Sequence, residues 1–219
     1  MTTHADLVLH LPSGLAIERP LAKLLAFAQE EYATYDGVAT ALDSTITIHD
    51  ITLSVMMNSW LMATGGRSVY GARERIGRAL ERIPPHTSLL DDHAAIPWDA
   101  VRELFNEFET VKGAKLAVAT KILHKKRPQL LPMFDRQVLD HYRQAYPNAR
   151  WQLTMGPLAV QAMERFREDL LAVAGPLTHL RADLAQAGFP LTPVRLLEAL
   201  IWIERSKTEP YYSATSGDE

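Results

Sequence analysis

The chain has 219 residues, 47% of them hydrophobic and 22% charged, with a formal net charge of −3 and no cysteine. That composition suits a globular protein of one domain or two small ones, able to bury a sizeable core. It excludes disulfides, thiolate zinc sites and cysteine-ligated iron–sulfur clusters. No apolar run is long enough to span a bilayer, and the N-terminus lacks the apolar stretch of a signal peptide. A cytoplasmic location without a membrane partner is therefore expected.

In chain order, Leu7-Val8-Leu9 fits a short strand or an extended arm, and Pro12-Ser13-Gly14 a turn. Pro20 suits the first position of a helix, which Leu21, Leu24, Leu25, Ala28 and Tyr32 continue to about Tyr35-Asp36-Gly37. Thr47 and Asp50 have the spacing of a capping box. The helix they open is expected over Ile48–Met62; it is apolar nearly all round and so reads as central, with Gly65-Gly66 as its stop. Another helix is predicted over Ser68–Arg82, closed by Pro84-Pro85. Pro97 opens the next, which ends near Gly113.

Short helices are expected over Leu116–Leu123 and Arg136–Ala145, then a long amphipathic one over Pro157–Ala174. Gly175-Pro176 starts a helix capped by Gly188, and Thr192-Pro193 caps the last one. Residues 206–219 are polar and read as a disordered tail. The pattern gives an all-α fold: a compact, irregular multi-helix domain over 1–205, or two helical subdomains at roughly 20–95 and 96–205, with no convincing sheet.

One stretch differs from the rest in charge. Between Val111 and Arg150 nine Lys and Arg face only Asp135 and Asp140, giving +7 in a chain of −3. Such asymmetry points to a polyanionic partner. Within it, Lys112-Gly113-Ala114-Lys115 joins two predicted helices by a tight glycine turn, the pattern of a helix-hairpin-helix. A turn of this kind exposes backbone N–H groups at a helix start, where dipole and donors together bind phosphate. Lys112, Lys115, Lys121 and the run Lys125-Lys126-Arg127 add charge for contacts that give affinity without reading sequence.

This stretch resembles the helix-hairpin-helix base-excision DNA glycosylases, the superfamily of endonuclease III, MutY and 8-oxoguanine glycosylase. Gly113 matches the first hairpin glycine, and Pro132-Met133-Phe134-Asp135 matches, without a gap, the segment that carries the catalytic aspartate. The resemblance implies duplex DNA as partner, Asp135 as catalytic residue and hydrolysis of the N-glycosidic bond of a damaged or modified base. Lys115 replaces the second hairpin glycine. Ala117 stands where bifunctional members carry a Schiff-base lysine, which implies no lyase activity. The run VATKILHKKRPQLLPMFD is also similar to an uncharacterised bacterial family.

A carboxylate at Asp135 would stabilise positive charge developing on the sugar and orient the attacking water. The base would have to be flipped into a pocket, for which Asn58, Trp60, Tyr142, Trp151 and Tyr32 are the available residues. Plainer readings stand beside these. Asp135 also suits a helix N-cap, Gly113 a helix C-cap, the 125–127 run a solvated loop, and Asn58 with Trp60 a hydrogen-bonded core pair. None of the eight histidines has a metal-ligand spacing, so neither metal nor cofactor is expected. Three functions stay open: a glycosylase-like hydrolase of base excision repair, a non-catalytic nucleic-acid-binding protein, and a helical interaction protein. The oligomeric state is not legible.

Overall fold

The computed structural model describes residues 7–59 and 61–207. Among these, nine α-helices carry most of the chain, with one small antiparallel hairpin at its start. Strands β1 (Val8–His10) and β2 (Ala16–Glu18) pair with Leu9 opposite Ile17, both buried. This hairpin corrects the expectation of no sheet. Tertiary contacts hold it: the Ser13 backbone N–H and hydroxyl both donate to Asp169, at 2.9 and 2.7 Å, and His141 Nε2 lies 2.8 Å from the Ser13 oxygen.

Helix α1 (Pro20–Glu31) begins at the expected proline and gives way to a 3-10 turn at Tyr32–Thr34. Helix α2 spans Ile48–Met56 and starts with a complete capping box. Asp50 N–H donates to the Thr47 hydroxyl oxygen at 3.3 Å, and Thr47 N–H donates to the Asp50 carboxylate at 2.7 Å. It is shorter than expected and not central. Ile48 is 63% and Met56 55% exposed, so one apolar face looks outward. Gly65-Gly66 does not stop this helix; it lies in the first turn of α3 (Ala63–Leu80). The reason is packing. A Cβ at Gly65 would meet Leu61 Cδ1 at 2.6 Å, so glycine leaves room for the Leu61 side chain, with the Lys112 carbonyl in ordinary contact at 3.4 Å.

Helices α4 (Trp98–Glu109), α5 (Leu116–His124) and α6 (Arg136–Ala145) follow, the last with the expected bounds. Helix α7 (Met155–Ala172) and α8 (Ala174–Gln186) nearly abut, so Gly175-Pro176 sits inside the first turn of α8, where a missing N–H costs nothing. Gly188, at φ +92°, closes α8. Helix α9 (Pro193–Ser206) starts on Thr192, whose hydroxyl accepts from Arg195 N–H at 3.2 Å. Ser206 of the expected tail is thus helical, and residues 208–219 lie outside the described residues.

Helix α4 packs against α3 and α7, and α9 against α1, α6 and α8. Their apolar stripes merge in one core that includes Leu104, Phe105, Phe108, Met163, Leu197 and Leu200. Phe134, Tyr142 and Phe166 meet edge to face, with centroids 6.2–6.5 Å apart. No described helix is long and apolar enough to cross a membrane.

The basic run 125–127 is neither a solvated loop nor a phosphate surface. Arg127 is 1% exposed and donates to the carbonyls of Ile83 (2.7 Å), Leu42 (2.9 Å) and Leu80 (3.0 Å) and to the Ser44 hydroxyl (3.2 Å). Lys126, 2% exposed, lies 3.1 Å from Asp43 and 3.2 Å from Asp50. Lys125 donates to the carbonyls of Tyr35 and Asp36 at 3.2 and 3.0 Å. A buried cation needs such acceptors because desolvation removes its water. Arg127→Met keeps the apolar volume and strips the Ile83 and Leu42 carbonyls of their donor. It is expected to cost about 3 kcal/mol or more in urea denaturation; a loss under about 1 kcal/mol would show that Arg127 is no staple.

Candidate functional site

A cleft of about 660 Å³ opens between the 111–115 turn, α5, the start of α6, α9, α1 and the segment after α2. Its walls follow from the local chemistry of each element. Gly113 takes φ +83°, a left-handed conformation that glycine adopts without strain, and its Cα side lies against Gly65, where a Cβ would be 3.3 Å from the Gly65 Cα. The first turn of α5 has no side-chain cap. Gly113, Lys115, Ala117 and Val118 all line the cleft there, so the uncapped helix start gives it a wall of positive potential.

Asp135 lines the same cleft as the N-cap of α6, accepting from Val138 N–H at 3.0 Å. The two sequence readings of this residue, cap and cleft carboxylate, therefore coexist. Burial pushes its carboxyl above the ordinary value, while the Val138 N–H, the Lys121 charge and the Gln137 N–H pull it back. Lys121 projects into the cleft and donates to the Met57 carbonyl at 2.6 Å. Burial lowers its pKa, and Asp135 opposes that shift.

Helix α9 brings two residues that the sequence reading did not select. Arg195, 2% exposed, places Nε at 2.9 and 3.0 Å from the two Asp36 oxygens, while Nη1 donates to Glu198. Its guanidinium carbon lies 5.0 Å from the Phe27 ring centre, and Nη2 is buried without a hydrogen-bond partner. Burial alone would lower the Arg195 pKa; Asp36 and Glu198 outweigh it and raise the net value. Burial also pushes the Glu198 carboxyl to about 7, against the pull of Arg195 and with the added repulsion of Asp135. The signal was present in sequence: Arg195 and Glu198 stand one turn apart among the apolar residues 194–203, where a charge must be paired.

The expected contact residues separate into groups. Gly113, Lys115 and Lys121 line the cleft, Ala114 is buried beneath the turn, and Lys112 is exposed beside it. Lys125, Lys126 and Arg127 are spent on internal acceptors, so the phosphate-binding roles given to them are corrected. Of the base-pocket residues, Asn58 lines the cleft, on a left-handed backbone of φ +54°. Tyr142 does not: it is 0% exposed and its hydroxyl donates to Asp169 at 3.0 Å inside the aromatic core. Trp151 lies away from the cleft, with its indole N–H on the Tyr146 carbonyl at 3.0 Å. Tyr32 packs edge-on against Phe189 instead. Trp60 lies outside the described residues. Arg136, Phe27, Glu31, Met133 and Trp202 are among the further lining residues and were not anticipated there.

The result is an apolar chamber with a cationic entrance at Lys115 and Arg136 and carboxyl groups within. Such a set can hold a flat apolar group, stabilise developing positive charge and move protons. The chain belongs to the family described as Family of unknown function (DUF6308), whose model matches residues 19–205. No curated protein and no solved structure matches it.

Glu198 ties stability to pH. Its folded pKa, about 7, lies above the ordinary 4.5, so its protonated form favours the fold. That contribution is complete below pH 4.5 and is lost as pH rises through about 7. Wild type should therefore lose more urea resistance between pH 5 and 8 than Glu198→Gln does. Parallel pH profiles of the two proteins would show that Glu198 is ionised throughout.

Proposed function

We propose that the chain binds duplex DNA through a helix-hairpin-helix formed by α4, the 110–115 turn and α5, and that Asp135 hydrolyses the N-glycosidic bond of a damaged or modified base. The observation that carries this reading is that Gly113, the α5 start and Asp135 line one cleft. Phosphate contacts fall to the uncapped N–H groups of α5, Lys112 and Lys115, with Arg136 beside the same entrance. These hold the backbone and carry no sequence information.

A nucleotide turned out of the duplex then brings its base into the chamber beside Asn58, Phe27 and Trp202. As the bond from C1′ to the base nitrogen breaks, positive charge grows on the sugar. The Asp135 carboxylate stabilises that charge and takes a proton from the attacking water. Its N-cap bond to Val138 fixes the carboxylate without neutralising it. Ala117 offers no amine, and the Lys121 ammonium one turn on is committed to the Met57 carbonyl. The product is therefore an intact abasic site.

Duplexes carrying one deaminated, oxidised or alkylated base each provide the test. Wild type should release one of these bases, and Asp135→Asn, which keeps the cap, should bind DNA equally and release it about 10²–10³-fold more slowly. Equal release by both proteins would remove Asp135 from the mechanism. Borohydride should trap no covalent adduct.

Binding should weaken with salt by about 0.9 in log affinity per log salt for each phosphate contact. Lys112→Ala with Lys115→Ala should flatten that slope, and Lys126→Met should leave it unchanged. Absence of binding at low salt would favour a helical interaction protein.

A further inference from the structure

We propose that Glu198 is the proton donor of this cleft, paired with Asp135 so that one carboxyl carries the proton and the other the charge. The inference rests on the glycosidic reading above for its substrate and on the buried charges for its assignment. Asp36 and Glu198 share the buried guanidinium of Arg195, Lys125 also faces Asp36, and Lys121 faces Asp135. A buried carboxyl that only shares its counter-charge is the one most favoured to keep a proton.

Geometry selects which group keeps it. Asp36 holds Arg195 Nε with both oxygens. Asp135 sits at a helix start, accepts the Val138 N–H and faces the Lys121 charge. Glu198 has a second claim on a guanidinium already engaged by Asp36, and it feels Asp135 as a like charge. The other charged groups on the cleft are Glu31 of α1, Lys115 at the start of α5 and Arg136 of α6. Burial drives Glu198 upward in the same sense, to about 7. Two carboxyls whose surroundings push them apart make an acid and a base from similar chemistry.

The step balances. The bond between C1′ and the base nitrogen breaks with its electron pair going to the base. The Glu198 carboxyl gives its proton to the departing base, and water adds to C1′ as its proton passes to Asp135. Exchange with solvent then returns a proton to Glu198 and removes one from Asp135. The buried, unpaired Arg195 Nη2 leaves this guanidinium one spare donor beside Glu198.

The test has two arms on the full chain. Carbon-13 NMR of labelled glutamate carboxyls, with the resonance assigned through Glu198→Gln, reads the titration without DNA. A midpoint near 7 is expected for Glu198 in wild type, falling by about one unit in Asp135→Asn as the like charge is removed. An ordinary carboxylate midpoint, or one indifferent to Asp135→Asn, overturns the proposal.

The second arm follows base release against pH. Wild type should lose rate as pH rises through about 7. Glu198→Gln should be about 10²–10⁴-fold slower below that pH and should lack this limb. Release by Glu198→Gln equal to wild type at every pH overturns the proposal and leaves the glycosidic reading standing. A coupled titration without base release from any duplex supports the carboxyl pair and rejects the glycosidic reading.

Discussion

Buried positive charge must be neutralised, and that constraint organises this protein. Lys121, Lys126, Arg127 and Arg195 are all nearly inaccessible to solvent. Each gathers acceptors from segments distant in sequence. Arg127 joins the end of α3 to the 42–44 loop, Lys126 joins α5 to the cap of α2, and Arg195 joins α9 to Asp36. A cation taken out of water is strongly destabilising unless such partners surround it. The helices therefore meet where their charges can be satisfied as well as where their apolar stripes match.

The same constraint shapes the cleft. Lys121 is held by a carbonyl on one side of the chamber, and Arg195 is held by two carboxyl groups. Asp135 takes its place from backbone N–H groups instead of a direct ion pair. The chamber thus has fixed cations and carboxyl groups set among apolar walls. Preorganised charges in apolar surroundings act more strongly on a reacting group than the same charges in water.

Local signals recovered the helices that local chemistry starts and stops. Thr47 with Asp50, Asp135 and Thr192-Pro193 are caps whose partners lie within four residues, and their helices begin as expected. Failures fell where the deciding partner is remote. The β1–β2 hairpin depends on Asp169 and His141. For the run 125–127, composition gives the charge but not its destination, since Asp43, Asp50 and the carbonyls of Tyr35, Asp36, Leu42, Leu80 and Ile83 supply it across dozens of residues. Asp135 was found through its spacing from Gly113. Glu198 was not singled out, because the cleft it shares with Asp135 is built from separate helices, although its place in an apolar stripe was visible.

The close approach of Gly113 to Gly65 has an evolutionary consequence. A Cβ at Gly113 would lie 3.3 Å from the Gly65 Cα, and its φ of +83° is one that other side chains rarely adopt. A lineage that enlarges residue 113 must shift the turn away from α3, which moves Lys115 and the start of α5 at the cleft entrance. Gly113 should therefore be retained among descendants that keep this entrance. Wherever it is lost, the entrance to the cleft should be reshaped with it.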